Sequence, residues 1–146
     1  MASIVNRRAT FDYFIISRLT AGIVLYGTEI KSIREGKASL TDAYCQFENG
    51  ELWVKQMRIS PYKFGSYANH DEMRVRKLLL NRQELRRLER QVADSGKTII
   101  PLKIFFTEKG LAKMEIGLAQ GKHNYDKRQS LKEKDIDRDT ARYVRR

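Results

Sequence analysis

An Asn-Gly pair at positions 49 and 50 is the sequence feature that most constrains this fold. Asn and Gly tolerate positive φ at both centres of a type I′ turn, and the flanking runs are rich in aromatic and β-branched residues. The segment is therefore predicted to be a β-hairpin. Because side chains alternate between the two faces of a strand, Ala43, Cys45 and Phe47 share one face, which we expect to be buried.

A second hairpin is predicted around Gly110. On its return strand, apolar side chains recur at every second position: Ala112, Met114, Ile116 and Leu118. This alternation is typical of a strand with one buried and one solvated face. Residues 11–16 and 22–26 are aromatic and β-branched runs, which also favour strands.

Helical spacing of apolar residues predicts two short helices. The first covers residues 29–35 and the second about 82–95, where Asn81 and Glu84 form a capping box at the start and Gly96 follows the end. Strand clusters interrupted by short helices indicate a mainly β fold. We predict a small closed or nearly closed antiparallel barrel with flanking helices.

The composition suits a folded and basic protein. Its 146 residues are 41% apolar and carry a formal net charge of +11, which favours a polyanionic partner, RNA or DNA. One cysteine and two histidines fit neither an internal disulfide nor a four-ligand zinc site. No run is long and apolar enough to span a membrane, and no secretory signal is evident. We therefore expect a cytoplasmic protein without a membrane partner.

The charge distribution predicts two parts. Residues 122–146 hold 9 basic and 5 acidic groups and few large apolar ones, so they cannot form a core alone. We expect residues 1–121 to form the barrel domain and residues 122–146 to be a basic tail, flexible and disordered when free.

Catalysis is not indicated by the pattern of reactive residues. Cys45 is expected to be buried in a strand, and His70 and His123 are 53 positions apart in polar surroundings that suit plain surface residues. No phosphate-binding glycine loop is present, and the carboxylates are spread through basic runs. We expect no enzyme activity, no metal and no cofactor, and an enzyme is kept only as an alternative.

Two segments combine positive charge with rings or apolar groups, as single-stranded RNA recognition requires. In residues 6–14, Arg7 and Arg8 lie near three rings, although those rings could instead form the core face of a strand. In residues 74–81, a basic run leads into an apolar run and then to Asn81, which could be an ordinary helix N-cap, an RNA contact or both. The segment 121–128 alone is a weak third candidate.

Several blocks of this sequence resemble the small protein B family, the SsrA-binding proteins of bacterial trans-translation. The blocks are Asn6-Arg7-Arg8-Ala9 with Tyr13-Phe14-Ile15; Ala21-Gly22; Gly27-Thr28-Glu29-Ile30-Lys31-Ser32-Ile33-Arg34-Glu35-Gly36-Lys37-Ala38; Ile59-Ser60-Pro61-Tyr62; Arg76-Lys77-Leu78-Leu79-Leu80-Asn81; and Gly121-Lys122 with Asp126-Lys127-Arg128. The resemblance covers nearly the whole chain. It implies an oligonucleotide-binding-type barrel that binds transfer-messenger RNA through its tRNA-like portion.

The resemblance also implies which residues contact RNA. On the domain they are Asn6, Arg8, Tyr13, Leu79, Asn81 and Lys122, so the two mixed segments would share one face. In the tail, the implied ribosome contacts are Tyr125, Asp126, Lys127, Arg128, Lys132, Lys134, Arg138 and Arg142. The family's tail folds as a helix in the empty messenger channel of a stalled ribosome, near the small-subunit decoding site.

The sequence departs from the family pattern at two positions. Thr20 stands where many members have a glutamate implicated in RNA binding, and His123 stands where a lysine is common. The contact of the glutamate must be absent or supplied by another group.

Taken together, the residues and the resemblance predict a monomeric RNA-binding adaptor for ribosome rescue. Its expected partners are transfer-messenger RNA and the ribosome, with elongation factor Tu and alanyl-tRNA synthetase acting indirectly through the RNA. The alternative is a general single-stranded nucleic-acid protein or a structural ribosomal component, which would use the same basic barrel without a tRNA-shaped partner.

Overall fold

The computed structural model describes residues 3–65, 69–93 and 96–122. Within these ranges the structure contains nine strands and three helices, and the fold is mainly β. The elements in chain order are β1 (Ile4–Val5), α1 (Ala9–Asp12), β2 (Tyr13–Ile23), α2 (Gly27–Arg34), β3 (Ala38–Ser39), β4 (Tyr44–Glu48), β5 (Glu51–Lys55), β6 (Arg58–Ile59), β7 (Arg76–Leu79), α3 (Arg82–Val92), β8 (Lys97–Phe106) and β9 (Ala112–Gly121).

A large antiparallel sheet contains seven of these strands, in the order β1-β8-β4-β5-β7-β2-β9. β8 pairs with β9 as well as with β1 and β4. β3 and β6 form a separate two-stranded sheet. The long strands β2, β8 and β9 therefore carry most of the pairing. β2 connects α1 to α2 along the chain.

The predicted hairpin at Asn49 and Gly50 is confirmed. Their φ angles are 55° and 79°, and the flanking strands β4 and β5 pair in register from Glu48 opposite Glu51. Cys45 is buried on the inner face, as the alternation predicts. Burial raises the pKa of its thiol far above the ordinary value, so this cysteine is held as an unreactive core residue.

The second predicted hairpin is also confirmed: β8 and β9 pair along their length, and Gly110 in the connection has a φ of +84°. The alternating apolar residues of β9 that are buried include Met114, Ile116 and Leu118. They pack in one core with the inner residues of the other strands and with Leu88 of α3.

The helices differ in detail from their predicted bounds. The capping box of α3 is confirmed, since Asn81 Oδ1 accepts a hydrogen bond from the Glu84 amide at 2.8 Å and the Asn81 amide donates to Glu84 Oε1 at 3.2 Å. α3 ends at Val92, three residues before the predicted end. α2 begins at Gly27 because the Glu29 side chain accepts a hydrogen bond from the Tyr26 amide and caps the helix there.

The predicted strand over residues 11–16 is wrong at its start. Residues 9–12 form α1, because the amides of Phe11 and Asp12 donate to the Arg8 carbonyl, and only from Tyr13 is the chain a strand. Phe11 lies in this helical turn and is 76% exposed.

Candidate nucleic-acid interface

A groove of about 970 Å³ lies where α1, the start of β2, the start of β8 and the end of β9 meet. Four of the six residues predicted to contact RNA line it: Asn6, Arg8, Tyr13 and Lys122. Phe11, Tyr44 and Lys97 add two further rings and another cation, while Asp12 and Asp42 supply carboxylates. The structure therefore brings the basic and aromatic residues of the first mixed segment together with a lysine from the other end of the described chain.

Asn6 is fixed by its neighbours on β8. Its amide donates to the Leu102 carbonyl at 2.8 Å, and its Nδ2 donates to the Pro101 carbonyl at 2.8 Å. Its Oδ1 is buried and has no hydrogen-bond partner within the described residues. A buried amide oxygen without a partner is costly, and the residue that carries it lines the groove.

Lys122 and Arg8 place positive charge at the rim of the groove. Lys122 Nζ donates to the Thr10 carbonyl at 2.8 Å and lies 5.2 Å from the centre of the Phe14 ring. Arg8 forms an exposed ion pair with Asp12, with Nε 3.3 Å from Oδ2. Such exposed pairs contribute little stability, so Arg8 can exchange its partner for a phosphate at low cost.

Tyr13 occupies the wall of the groove, partly buried against Ala9 and the apolar residues Ile100 and Leu102. One part of its ring is thus held by packing while another part faces the groove. A ring fixed in this way is suited to stacking on an unpaired base, since little side-chain entropy remains to be lost.

Leu79 and Asn81 do not line the groove. Leu79 pairs with Gly22 near the far end of β2 from Tyr13, and it is half exposed. The Oδ1 of Asn81 is engaged in the α3 cap. The expectation that all six residues share one RNA-facing surface stays a prediction, and a single ligand that touched both places would have to extend along β2.

The second mixed segment contains a buried charge cluster that the sequence reading missed. Arg76 is fully buried, where its Nε donates to Glu29 Oε2 at 2.7 Å and its Nη1 donates to the Met57 carbonyl at 2.6 Å. Arg74 donates to both carboxylate oxygens of Glu29 and stacks 3.9 Å from the centre of the Tyr26 ring. These two arginines are therefore structural, and the exposed residues of segment 74–81 are Val75, Leu79 and Asn81.

The protonation of this cluster follows from its contacts. Burial opposes the charge on Glu29, but hydrogen bonds from Arg74, the Tyr26 amide and Arg76 outweigh it and lower the pKa of this carboxyl. Burial lowers the pKa of Arg76, and Glu29 offsets part of that effect. The hydrogen bonds to Glu29 raise the pKa of Arg74.

A sequence signal for Arg76 did exist. It lies two positions before Leu78, so strand alternation puts both on the inner face, whereas Lys77 and Leu79 take the other face. The reading of the carboxylates as dispersed through basic runs overlooked this arrangement, because Glu29 meets its partners only in the folded chain.

The expectation that His70 is a surface residue is wrong. His70 is buried, its Nε2 lies 2.9 Å from the Ile59 carbonyl and its Nδ1 lies 2.9 Å from the Thr28 hydroxyl. A carbonyl can only accept, so Nε2–H donates to it, while Nδ1 shares a hydrogen bond with the Thr28 hydroxyl. The histidine joins α2 to the connection that follows β6.

Thr20 is exposed on β2 and pairs with Glu115 on β9. A carboxylate is therefore present on the neighbouring strand, where it also lies 3.5 Å from Arg18. The predicted tail contacts, Tyr125 to Arg142, and His123 lie outside the described residues.

Among the described residues no group of histidine, cysteine and carboxylate side chains is arranged to hold a metal ion. Within the same residues, none of the helices combines the length and the apolar character required to cross a membrane.

The comparisons with known proteins agree with one another. The family model described as SmpB protein matches residues 3–146. SsrA-binding proteins of Bacteroides thetaiotaomicron and Phocaeicola vulgatus are 58% and 59% identical to this chain over 144 residues, which is 99% of this chain and 96% of each relative. The SsrA-binding protein of Desulfitobacterium hafniense is 51% identical over 140 residues, or 96% of this chain and 89% of the relative.

A solved structure described as "tmRNA-SmpB: a journey to the center of the bacterial ribosome" also matches, with a TM-score of 0.75 and 48% identity over 94% of this chain and 96% of that chain. Identity at this level over nearly the full length, together with the matching fold and the family model, leads to one conclusion: the chain belongs to the SmpB family of SsrA-binding proteins.

Proposed function

We propose that this chain is a non-enzymatic RNA-binding adaptor that binds the tRNA-like domain of transfer-messenger RNA and delivers the alanyl-charged RNA to stalled ribosomes. The observation that carries the proposal is the groove, which brings Asn6, Arg8 and Tyr13 of one segment together with the distant Lys122. Membership of the SsrA-binding family, and the match to a solved structure whose description names tmRNA-SmpB, support the choice of partner.

The sheet is proposed to be a closed barrel of the oligonucleotide-binding type. Hydrogen-bonded pairing runs from β8 through β4, β5, β7, β2 and β9, and β9 pairs again with β8, which supports closure. A closed sheet has no free edge, so its residues keep a fixed geometry when a large RNA binds.

RNA binding in the groove would combine charge with stacking. Arg8 and Lys122 at the rim are placed to neutralise backbone phosphates, and the Tyr13 ring offers a surface for an unpaired base. The Oδ1 of Asn6 is buried, and a small movement on binding would let it accept a hydrogen bond from a 2′-hydroxyl, a donor that DNA lacks. Leu79 and Asn81, toward the other end of β2, would give an extended RNA a second place to bind.

We propose that the domain ends near residue 121 and that residues 122–146 form the tail. The tail would enter the vacant messenger channel next to the small-subunit decoding site and fold there, with Asp126, Lys127 and Arg128 at its start and Lys132, Lys134, Arg138 and Arg142 on phosphates. Elongation factor Tu and alanyl-tRNA synthetase would act through the RNA, and the adaptor would work as a monomer in the cytoplasm.

The first test is binding of the full chain to the tRNA-like domain at near-physiological salt, with ordinary tRNA and poly-U as competitors. Tight binding that survives both competitors is expected. A Tyr13→Ala variant should weaken binding about five- to 150-fold, the range for one base stacked on a ring, while Lys109→Ala at an exposed turn should not. Equal displacement by all three RNAs would instead support a general single-stranded RNA-binding protein.

The two parts of the chain should separate under mutation. Leu79→Asp or Asn81→Ala should weaken RNA binding, whereas the triple variant Asp126→Ala, Lys127→Ala and Arg128→Ala should keep RNA affinity and lose tagging of stalled products. If the triple variant lost most of its RNA affinity, the proposed division between domain and tail would be wrong.

A further inference from the structure

A cluster of rings and lysines lies on the connection between β6 and β7, away from the groove. Phe64 is 71% exposed and meets Tyr62 edge-on, with ring centres 5.5 Å apart and planes at 72°. Lys63 Nζ lies 5.1 Å from the centre of the Phe64 ring, and Lys31 Nζ of α2 lies 5.4 Å from that of Tyr62. We call Tyr62, Lys63, Phe64 and Lys31 the 62–64 platform, and none of them lines the groove.

The main chain beneath the platform is held in place. The Tyr62 amide donates to Asn69 Oδ1 at 3.0 Å, and Asn69 Nδ2 donates to the Tyr62 carbonyl at 2.6 Å. The Gly65 amide closes a turn by donating to the same carbonyl at 2.8 Å. His70, bonded to Ile59 and Thr28, fixes the following residues against α2.

Gly65 shows how closely this turn is packed. A Cβ at that position would lie 2.6 Å from Asn69 Nδ2 and 3.1 Å from Thr28 Cγ2, so only glycine fits without a shift. The turn is thus closely packed at Gly65, yet it presents a large ring to solvent. The exposed phenylalanine contributes little to the core, so its ring is available to a ligand together with the neighbouring Tyr62 ring.

The chemistry of the platform favours a nucleic acid over an apolar protein surface. Each of its two rings already has a lysine ammonium within 5.5 Å, an arrangement that pairs flat stacking surface with phosphate-neutralising charge. An apolar protein partner would leave both ammonium groups desolvated without a counter-charge, which is costly.

We propose that the 62–64 platform is a second RNA-binding site, where an unpaired base stacks on Phe64 while Lys63 and Lys31 contact the flanking phosphates. The proposal rests on the RNA-binding function of the chain and adds a surface to it. The unpaired base could belong to transfer-messenger RNA or to ribosomal RNA, since both present the same chemistry.

The affinities of Phe64→Ala, Phe64→Leu and the control Lys109→Ala should be measured for two ligands. One is the isolated tRNA-like domain and the other is the whole ribosome. For one of the two, Phe64→Ala should weaken binding about five- to 150-fold, and Phe64→Leu should not restore it because leucine has no ring. The ligand for which Phe64→Ala loses affinity is the one that supplies the base stacked on Phe64.

A fluorescence measurement separates stacking from a structural effect. Phe64→Trp in a Trp53→Phe background places the single tryptophan on the platform, and a stacked base should quench its emission on the RNA that Phe64→Ala affects. Weaker binding without quenching would mean a contact other than a base and would overturn the proposal.

The proposal is also overturned if Phe64→Ala binds both RNAs as the wild type does. Failure of the wild type to bind the tRNA-like domain would instead overturn the proposed function. In that case the platform proposal would require two results. Phe64→Ala would have to weaken ribosome binding, and ribosomes would have to quench the emission of Phe64→Trp.

Discussion

Replacing Glu29 by glutamine should destabilise the domain more than any exposed substitution of the same kind. The carboxylate is fully buried and accepts hydrogen bonds from Arg74, from Arg76 and from the Tyr26 amide. A glutamine of the same size would present an NH₂ group to at least one of these donors. It would also leave the fully buried Arg76 without its counter-charge.

The magnitude follows from the burial. Removing one partner of a buried ion pair costs about 3–5 kcal/mol, a large fraction of the roughly 5–15 kcal/mol that stabilises a typical domain. At about 2–4 °C per kcal/mol, the melting temperature of Glu29→Gln should fall by roughly 6–20 °C. The matched control is Glu72→Gln, because Glu72 pairs with Arg58 at 2.6 Å but both side chains are more than a third exposed. The Glu72→Gln variant should lose about 1 kcal/mol of unfolding free energy at most.

The assay is thermal and urea unfolding of both variants at several pH values. Because the pKa of Glu29 is lower in the folded than in the unfolded protein, its stabilisation is complete above the ordinary value of 4.5 and is lost as the pH falls through the lowered pKa. The difference in unfolding free energy between wild type and Glu29→Gln should therefore become smaller below about pH 4.5. Equal losses in Glu29→Gln and Glu72→Gln at neutral pH would refute the reasoning.

Three other substitutions or reactions test separate features. Gly65→Ala should loosen the connection between β6 and β7, because the added Cβ would displace Asn69. Amide hydrogen exchange in this connection should then be faster than in the wild type, and unchanged protection would contradict the close packing at Gly65. Cys45 should react with a thiol reagent only after unfolding, because it is buried and the pKa of its thiol is raised, so rapid reaction in the native protein would place it at the surface. Asn81→Ala should cost about 0.5–2 kcal/mol through the lost cap, while Asn81→Asp should keep wild-type stability because aspartate also caps helices. Weaker RNA binding by Asn81→Asp in a titration would then report an RNA contact, and equal instability of both variants would show that the cap matters little.

Features set by neighbouring residues could be predicted from the sequence. The type I′ turn depends on Asn49 and Gly50, and the capping box of α3 joins Asn81 to Glu84, three positions away. In each case the energetic preference is local, so no knowledge of the rest of the fold is needed.

The buried charge cluster could not be predicted in the same way. Glu29 and Arg76 are 47 positions apart, and whether such groups are solvated or paired depends on the tertiary structure. The same holds for His70, whose partners lie on α2 and β6. Conversely, α1 formed where aromatic residues favoured a strand, because hydrogen bonds to the Arg8 carbonyl outweighed a weak intrinsic preference.

The candidate site was predicted only in part. Mixed charge and rings indicated residues 6–14, but the resemblance to the family was needed to add Lys122, whose contact with Thr10 spans 112 positions. Lys97 and Tyr44 also line the groove and had no sequence signal as site residues. A groove made from several strands becomes visible only once their pairing is known.

The pairing of β2 with β9 has a consequence for how the chain matures. During synthesis β2 is made early, but its partners β7 and β9 follow much later, and β9 is the last of the described strands. Until β9 emerges, one long edge of β2 has no partner and the groove lacks Gly121 and Lys122. The domain therefore cannot become competent for RNA stepwise as it is translated. It must acquire its binding surface in one late event, after nearly all of the domain has been made.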